Sequence, residues 1–257
     1  MDEVIISKAI TESYIKDLIE AMEVDVAIVG AGPSGLVAAC YLAKEKVNTV
    51  IFEKRLSIGG GIWGGGMMFN RIVVQDKGKK ILDEFGITTT KYQEGYYVAR
   101  AIEVASALCL QAVKAGARIF NLINVEDVVI RENDKVSGLV LNWSAVPIAN
   151  LHIDPLAMKA KLVIDATGHD CDVCHLVTRK IGANLRTPTG NIIGEKPMWA
   201  EMAEKQVVKN TKEVYPGLIV AGMAASAVFG LPRMGPIFGG MLLSGRRAAE
   251  LAIELLK

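Results

Sequence analysis

The first periodic segment runs from Ser7 to Met22. Ile10, Tyr14, Leu18 and Met22 recur there at helical spacing, which predicts an amphipathic helix. The pattern then changes. Val24-Asp25-Val26-Ala27-Ile28-Val29 is a short apolar run stopped by glycine, the form of a strand buried on both faces of a parallel sheet. Pro33–Lys46 returns to a helical pattern, and Asn48–Phe52 is a second short strand. Strand, helix and strand in this order make a βαβ start.

Farther along, Glu103–Ala115 reads as a helix, and Arg118–Ile130 and Lys135–Trp143 as strands. Ala160–Asp165 is another buried strand, ending at Ala166-Thr167-Gly168. Tyr215–Gly222 reads as the last strand and Gly239–Leu256 as a long C-terminal helix, while 184–214 reads as irregular. The alternation predicts an α/β fold: a doubly wound parallel sheet, dinucleotide-binding and flavoprotein-like, with an inserted β-rich segment near 118–155. One domain over 1–257 is expected.

Composition supports this reading and removes some partners. A chain of 257 residues, 51% hydrophobic with 25 glycines, can bury a sizeable core without disulfides. Lys+Arg 29 against Asp+Glu 28 leaves no net field to attract nucleic acid or an anionic membrane. No stretch approaches the ~18 apolar residues of a spanning helix. The mixed-charge N-terminus lacks a secretory pattern, so a cytoplasmic location is expected.

The chemistry begins at Gly30-Ala31-Gly32-Pro33-Ser34-Gly35, a GxGxxG between strand and helix. The first glycine makes a tight turn, the second admits a pyrophosphate and the third lets helix and strand approach. The helix N-terminus offers N–H groups and a positive dipole end to phosphate. Glu53 ends the second strand, where an acid hydrogen-bonds the adenosine ribose hydroxyls. A carboxylate there disfavours NADP. Leu56–Asn70, with six glycines, reads as a binding loop, since bare backbone can approach a ligand closely. Late in the chain, flavoproteins of this type carry an aspartate after glycine to hold the flavin. Gly222-Met223 stands at that place, which argues for NAD over FAD.

The chain has only three histidines, and two of them belong to one pattern: His152-Ile153-Asp154, then His169 in Ala166-Thr167-Gly168-His169-Asp170. Two histidines and a carboxylate make a set that binds a divalent metal and leaves positions open for chemistry. Arg233, a lone cation among Pro232, Met234, Gly235 and Pro236, suits bidentate recognition of a small carboxylate. Cys40 and Cys109 lie in apolar helical patterns and read as buried thiols. Cys171-Asp172-Val173-Cys174-His175 spells a haem-attachment pattern. It reads instead as a helical turn carrying two thiols, because nothing here exports the chain.

Taken together, Gly30–Gly35, Glu53-Lys54, the 59–66 glycine loop, His152-Ile153-Asp154-Pro155, Thr167-Gly168-His169-Asp170 and Arg233-Met234-Gly235-Pro236 resemble the thiamine thiazole synthase family over nearly the whole chain. The resemblance implies that NAD is a substrate of a pentosyl-transferring enzyme. Nicotinamide would leave, and the ADP-ribose carbons would condense with glycine and a sulfur source into an ADP-linked thiazole carboxylate. Beside the dinucleotide-binding glycines Gly30, Gly32 and Gly35 of the motif, it implies NAD contacts at Ser34, Glu53, Lys54, Gly61, Val125 and Met223. It implies glycine binding at Arg233 and iron(II) at Asp154 and His169, with Asp154 reaching in from a neighbouring subunit of a homo-oligomer, an octamer in the family.

The two-histidine, one-carboxylate pattern would add His152 as a ligand; the resemblance favours the pair alone, with His152 lining the site. His152, Asp154 and His169 are the candidate catalytic residues on either reading. Relatives that donate their own sulfur have cysteine two residues before the metal-binding aspartate, where this chain has His152. The resemblance is therefore to the sulfide-using, archaeal-type branch. The alternatives are an FAD-dependent oxidoreductase, a phosphosugar (ribose-bisphosphate-type) isomerase and a non-catalytic NAD sensor.

Overall fold

The computed structural model describes residues 1–182 and 184–257. Helix α1 (Glu3–Glu20) leads into β1 (Glu23–Val29), α2 (Pro33–Lys44) and β2 (Thr49–Glu53). After the glycine-rich loop come β3 (Arg71–Val74), α3 (Asp76–Glu84), β4 (Thr89–Gln93), β5 (Tyr96–Arg100) and α4 (Ala101–Ala115). β6 (Arg118–Asn121), β7 (Ile123–Arg131), β8 (Lys135–Trp143), α5 (Ala145–Ile148) and β9 (Leu156–Asp165) follow. The last third holds α6 (Asp172–Ile181), α7 (Ala200–Lys209), β10 (Glu213–Tyr215), β11 (Leu218–Val220), α8 (Met223–Phe229) and α9 (Gly239–Leu256).

The core sheet runs β10-β11-β9-β1-β2-β6. From β11 to β6 every neighbour is parallel, with Ile28 opposite both Ile51 and Ile164. Alternation along β1 sends Val26 and Ile28 to one face and Ala27 and Val29 to the other. The first face is covered by apolar side chains of α2, α3, α4 and α9, among them Leu36, Leu82, Leu108 and Leu242. The second is covered by α6, α7, α8 and the β7–β8 hairpin, through Val177, Val207, Ala224 and Leu139. Both faces are sealed, which is why β1 reads as a continuous apolar run. Each such large side chain contributes roughly 1.5–3 kcal/mol by leaving water.

The β-rich segment is real, but its boundaries differ from the expectation. The single strand expected over Arg118–Ile130 is broken at Leu122, whose φ is 58°. Before the break, β6 extends the parallel core by pairing with β2. After it, β7 turns back on β8, and β8 pairs antiparallel with the first half of β9. The last strand, expected as one run over Tyr215–Gly222, is instead a hairpin, because Pro216-Gly217 reverses the chain between β10 and β11. Gly217 has φ +79°, and a Cβ there would lie 2.3 Å from the Val136 carbonyl oxygen.

Three further differences matter. A separate antiparallel sheet, β3-β5-β4, was not signalled by the pattern. The stretch 184–214, expected to be irregular, contains α7 and the start of β10. Helix α1 begins at Glu3, capped by the Asp2 carboxylate, which accepts from Val4 N at 2.8 Å. Of its residues only Leu18 is buried, and Ile5, Ile10, Ile15 and Ile19 are exposed. No helix among the described residues is long and apolar enough to cross a membrane.

Candidate functional site

The loop from β1 to α2 separates the three glycines of the motif by role. Gly30 has φ +99°, and a Cβ on it would meet the Ala166 carbonyl oxygen at 2.5 Å. A Cβ on Gly35 would lie 2.1 Å from the Gly30 carbonyl oxygen. Both are demanded by the protein's own packing. Gly32 is different: a Cβ there would meet nothing within 4 Å, and its φ of −75° suits any residue. Its missing side chain leaves open space on the cleft. No side chain caps the N-terminus of α2, so that end is left for an anionic ligand.

Glu53 closes β2 and is buried. Its Oε2 accepts from Ala31 N and its Oε1 from Arg55 N, both at 2.9 Å. The carboxylate is thus fixed against the glycine turn. Next to it, Lys54 Nζ lies 3.0 Å from Asp172 and 3.5 Å from Asp170. Burial works against the Lys54 charge, but the hydrogen bond and charge of Asp172, joined by Asp170, outweigh it and raise its pKa. These half-exposed pairs are weak, at about 0–1 kcal/mol each.

A cleft of about 660 Å³ lies over this end of the sheet. It brings together Gly30, Gly32, Ser34, Glu53, Lys54, Gly61, Val125, His169, Met223 and Arg233. Gly35 sits beneath, in the helix–strand contact. Ser34 Oγ donates to the Met241 carbonyl at 2.8 Å. Gly222, at φ +63°, passes so close that a Cβ would lie 2.3 Å from Ser34 Oγ. Arg233 is exposed at the cleft. Among the described residues, the arginines in ion pairs are Arg118, Arg186, Arg246 and Arg247, so the Arg233 guanidinium is uncommitted.

The turn bearing His169 is built on Asp165. This fully buried carboxylate ends β9 and accepts from Thr167 N at 3.1 Å, Thr167 Oγ1 at 2.7 Å and Cys174 N at 3.0 Å. Burial raises its pKa against those bonds. Gly168, at φ +84°, starts a single 3-10 turn through Asp170. His169 Nδ1 lies 2.8 Å from Glu195 Oε2.

His152 and Asp154 do not join it. They sit exposed in the irregular stretch 151–155, outside the cleft lining. Among the described residues no three His, Cys, Asp or Glu side chains are placed to hold a metal. The triad read from the sequence is therefore not assembled within one chain. The reason is β9: His152 and Asp154 precede this ten-residue strand and His169 follows it. At ~3.3 Å per residue the strand holds its two ends roughly 30 Å apart. Imidazole and carboxylate donors suit iron(II), but of His152, Asp154 and His169 a single chain brings only His169 to the cleft.

Cys171 and Cys174 are buried free thiols at the start of α6. Burial, reinforced by Asp165 and Asp172, pushes the Cys171 thiol up to about 12. Cys40 is buried as expected. Cys109 is only half-buried, a correction that follows from its position at the edge of the buried face of α4. The polar residues that sequence reasoning missed are Glu195, in the stretch 184–214 expected to be irregular, and the Asp172 partner of Lys54.

A sequence model of the Thi4 family matches residues 7–238. A thiamine thiazole synthase of Methanothermobacter thermautotrophicus is 59% identical over 257 residues, covering 100% of this chain and 99% of its own. One from Pyrococcus horikoshii is 58% identical, covering 99% and 98%. The crystal structure of Thermovibrio ammonificans THI4 superposes with a TM-score of 0.98 at 51% identity, covering all of both chains. A geranylgeranyl bacteriochlorophyll reductase-like protein of Thermoplasma acidophilum matches with a TM-score of 0.57 at 19% identity, covering 91% of this chain and 79% of its own; this likeness shows the fold alone. The chain belongs to the Thi4 family, and the activity it shares with these relatives is thiamine thiazole synthesis.

Proposed function

We propose that the chain condenses the ADP-ribose part of NAD with glycine and sulfide. Nicotinamide is released and an ADP-linked thiazole carboxylate is formed, in an iron(II)-dependent reaction. The observation that carries this is the single cleft lined by the bare Gly32, the Glu53 carboxylate, the uncommitted Arg233 and His169. Gly32 and the α2 N-terminus receive the pyrophosphate. Glu53 accepts from the adenosine ribose hydroxyls. Arg233 grips the glycine carboxylate in two-pronged fashion and aims its nitrogen at the sugar carbons. Ser34, Lys54, Gly61, Val125 and Met223 line the NAD path.

His169 and Asp154 of a second copy would hold the iron, since β9 keeps the two apart within one chain. Iron(II) supplies a Lewis acid that orients sulfide and stabilises developing charge. His152 stands where self-sacrificing relatives carry cysteine, and imidazole cannot supply sulfur, so sulfide comes from solution. The working unit is a homo-oligomer, an octamer on the family resemblance, with no nucleic acid or membrane partner.

The test is mass spectrometry of the small molecule released on denaturing anaerobically purified protein. An adenylated thiazole or an ADP-ribose derivative is expected. A flavin would contradict the reading.

A further inference from the structure

His169 and Glu195 come from different parts of the chain, yet their side chains meet. His169 Nδ1 is 2.8 Å from Glu195 Oε2. The histidine side chain is 54% exposed, and the glutamate only 19%. The other glutamate oxygen, Oε1, is buried without a hydrogen-bond partner among the described residues. Leaving a polar atom buried and unpaired is costly, so the bond through Oε2 is the one that holds this carboxylate in place.

The backbone around Glu195 is tied on both sides. Gly194 N donates to the Ala227 carbonyl at 2.9 Å, and Lys196 N to the Leu231 carbonyl at 2.9 Å. Arg233 N donates back to the Lys196 carbonyl at 3.0 Å. Glu195 thus stands on a strip pinned between α8 and the Arg233 loop, while His169 stands on a turn pinned by Asp165.

We propose that Glu195 is the positioning residue for His169: it accepts a hydrogen bond from Nδ1–H, fixes the tautomer and leaves the Nε2 lone pair free for the metal. This rests on the reading of His169 as a metal ligand. A carboxylate only accepts, so the proton of a neutral imidazole facing it must sit on Nδ1. Without Glu195 the proton is free to move to Nε2, where it blocks coordination. The pinned strip further ties the metal-binding turn to the loop that carries Arg233.

The experiment uses metal-free protein with 15N-labelled histidine. Long-range proton–nitrogen NMR separates the two tautomers, and with three histidines in the chain, His169→Ala assigns the signal. The wild type is expected to show His169 protonated at Nδ1. Glu195→Ala should move the proton toward Nε2 and raise the iron(II) dissociation constant roughly 10–100-fold. Glu195→Gln, whose amide oxygen still accepts, should keep the Nδ1 tautomer and lose less affinity. A wild-type ring protonated at Nε2 would overturn the inference, even if Glu195→Ala fails to fold. An unchanged tautomer and affinity in a folded Glu195→Ala would overturn it too. If His169→Ala binds iron(II) like the wild type, the metal reading itself has failed. If it abolishes binding while Glu195→Ala changes nothing, only the Glu195 role is lost.

Discussion

At the scale of single residues, the cleft contains groups that are spoken for and groups that are not. Glu53 and Lys54 are already engaged with the protein, through Ala31 and Arg55 in one case and Asp172 in the other. Arg233 is not. Arg233→Lys keeps the charge and loses the planar fork. The Michaelis constant for glycine should rise at least ~10-fold, as expected for a charged hydrogen bond of about 1.5 kcal/mol. NAD binding, read by calorimetry, should barely change; equal loss of both would remove Arg233 from the glycine site. The cysteines offer a second check. Alkylation requires thiolate, and a Cys171 thiol pushed up to about 12 stays protonated far above neutrality. Because the folded pKa is raised, the thiolate fraction grows only as pH nears that value. Iodoacetamide at pH 8 should therefore leave Cys171 unlabelled in the folded chain and label it after denaturation, as peptide mass spectrometry will show. Rapid labelling of the folded chain would mean a reactive thiol beside His169.

At the scale of elements, the glycine motif makes a prediction that separates binding from folding. Gly32→Ala adds a methyl group to open space, so the melting temperature should hold while NAD affinity falls. Gly35→Ala drives a Cβ into the Gly30 carbonyl and should cost roughly 1–3 kcal/mol of stability by overpacking. Thermal melts and NAD titrations of the two variants check this; loss of fold in Gly32→Ala, or none in Gly35→Ala, would reverse the roles. The same contrast explains what the sequence made legible. β1, β2 and the end of β9 are apolar because both faces of the sheet are covered, and their pattern is unmistakable. Glu53 was legible because the motif fixes where β2 ends. β4 is mostly exposed and carries no apolar period, so the second sheet was hidden. The breaks at Leu122 and Gly217 are set by tertiary contacts, not by local propensity. Glu195 had no signal at all, since it gains meaning only when the strip at 193–196 is pinned beside the His169 turn.

At the scale of the whole molecule, β9 decides what one chain can do. The histidine–aspartate pattern suggested a compact triad, although the strand read at Ala160–Asp165 lies between its members; the observed β9 extends back to Leu156 and holds them apart. The exposed apolar side chains of α1 and the exposed Ile148, Leu151 and Ile153 near Asp154 fit a surface covered by further copies, and closed symmetric assemblies would let each subunit give one Asp154 and receive another. Asp154→Ala and His169→Ala should each be inactive alone. After dissociation and reassembly together, some sites regain an intact pair, and activity should partly return. Verified mixed oligomers that stay inactive would place both ligands in one chain, against the strand geometry.

The most direct test of the account is anaerobic turnover with NAD, glycine, sulfide and iron(II), with product and intact protein both followed by mass spectrometry. The account predicts adenylated thiazole carboxylate in excess over protein, nicotinamide in equal amount, no product without sulfide, and an unchanged protein mass, because on the proposed reading His152 holds the position where a donor cysteine would stand. A single turnover without added sulfide, with the chain lighter by about 34 Da as a cysteine thiol loses hydrogen sulfide, would contradict it.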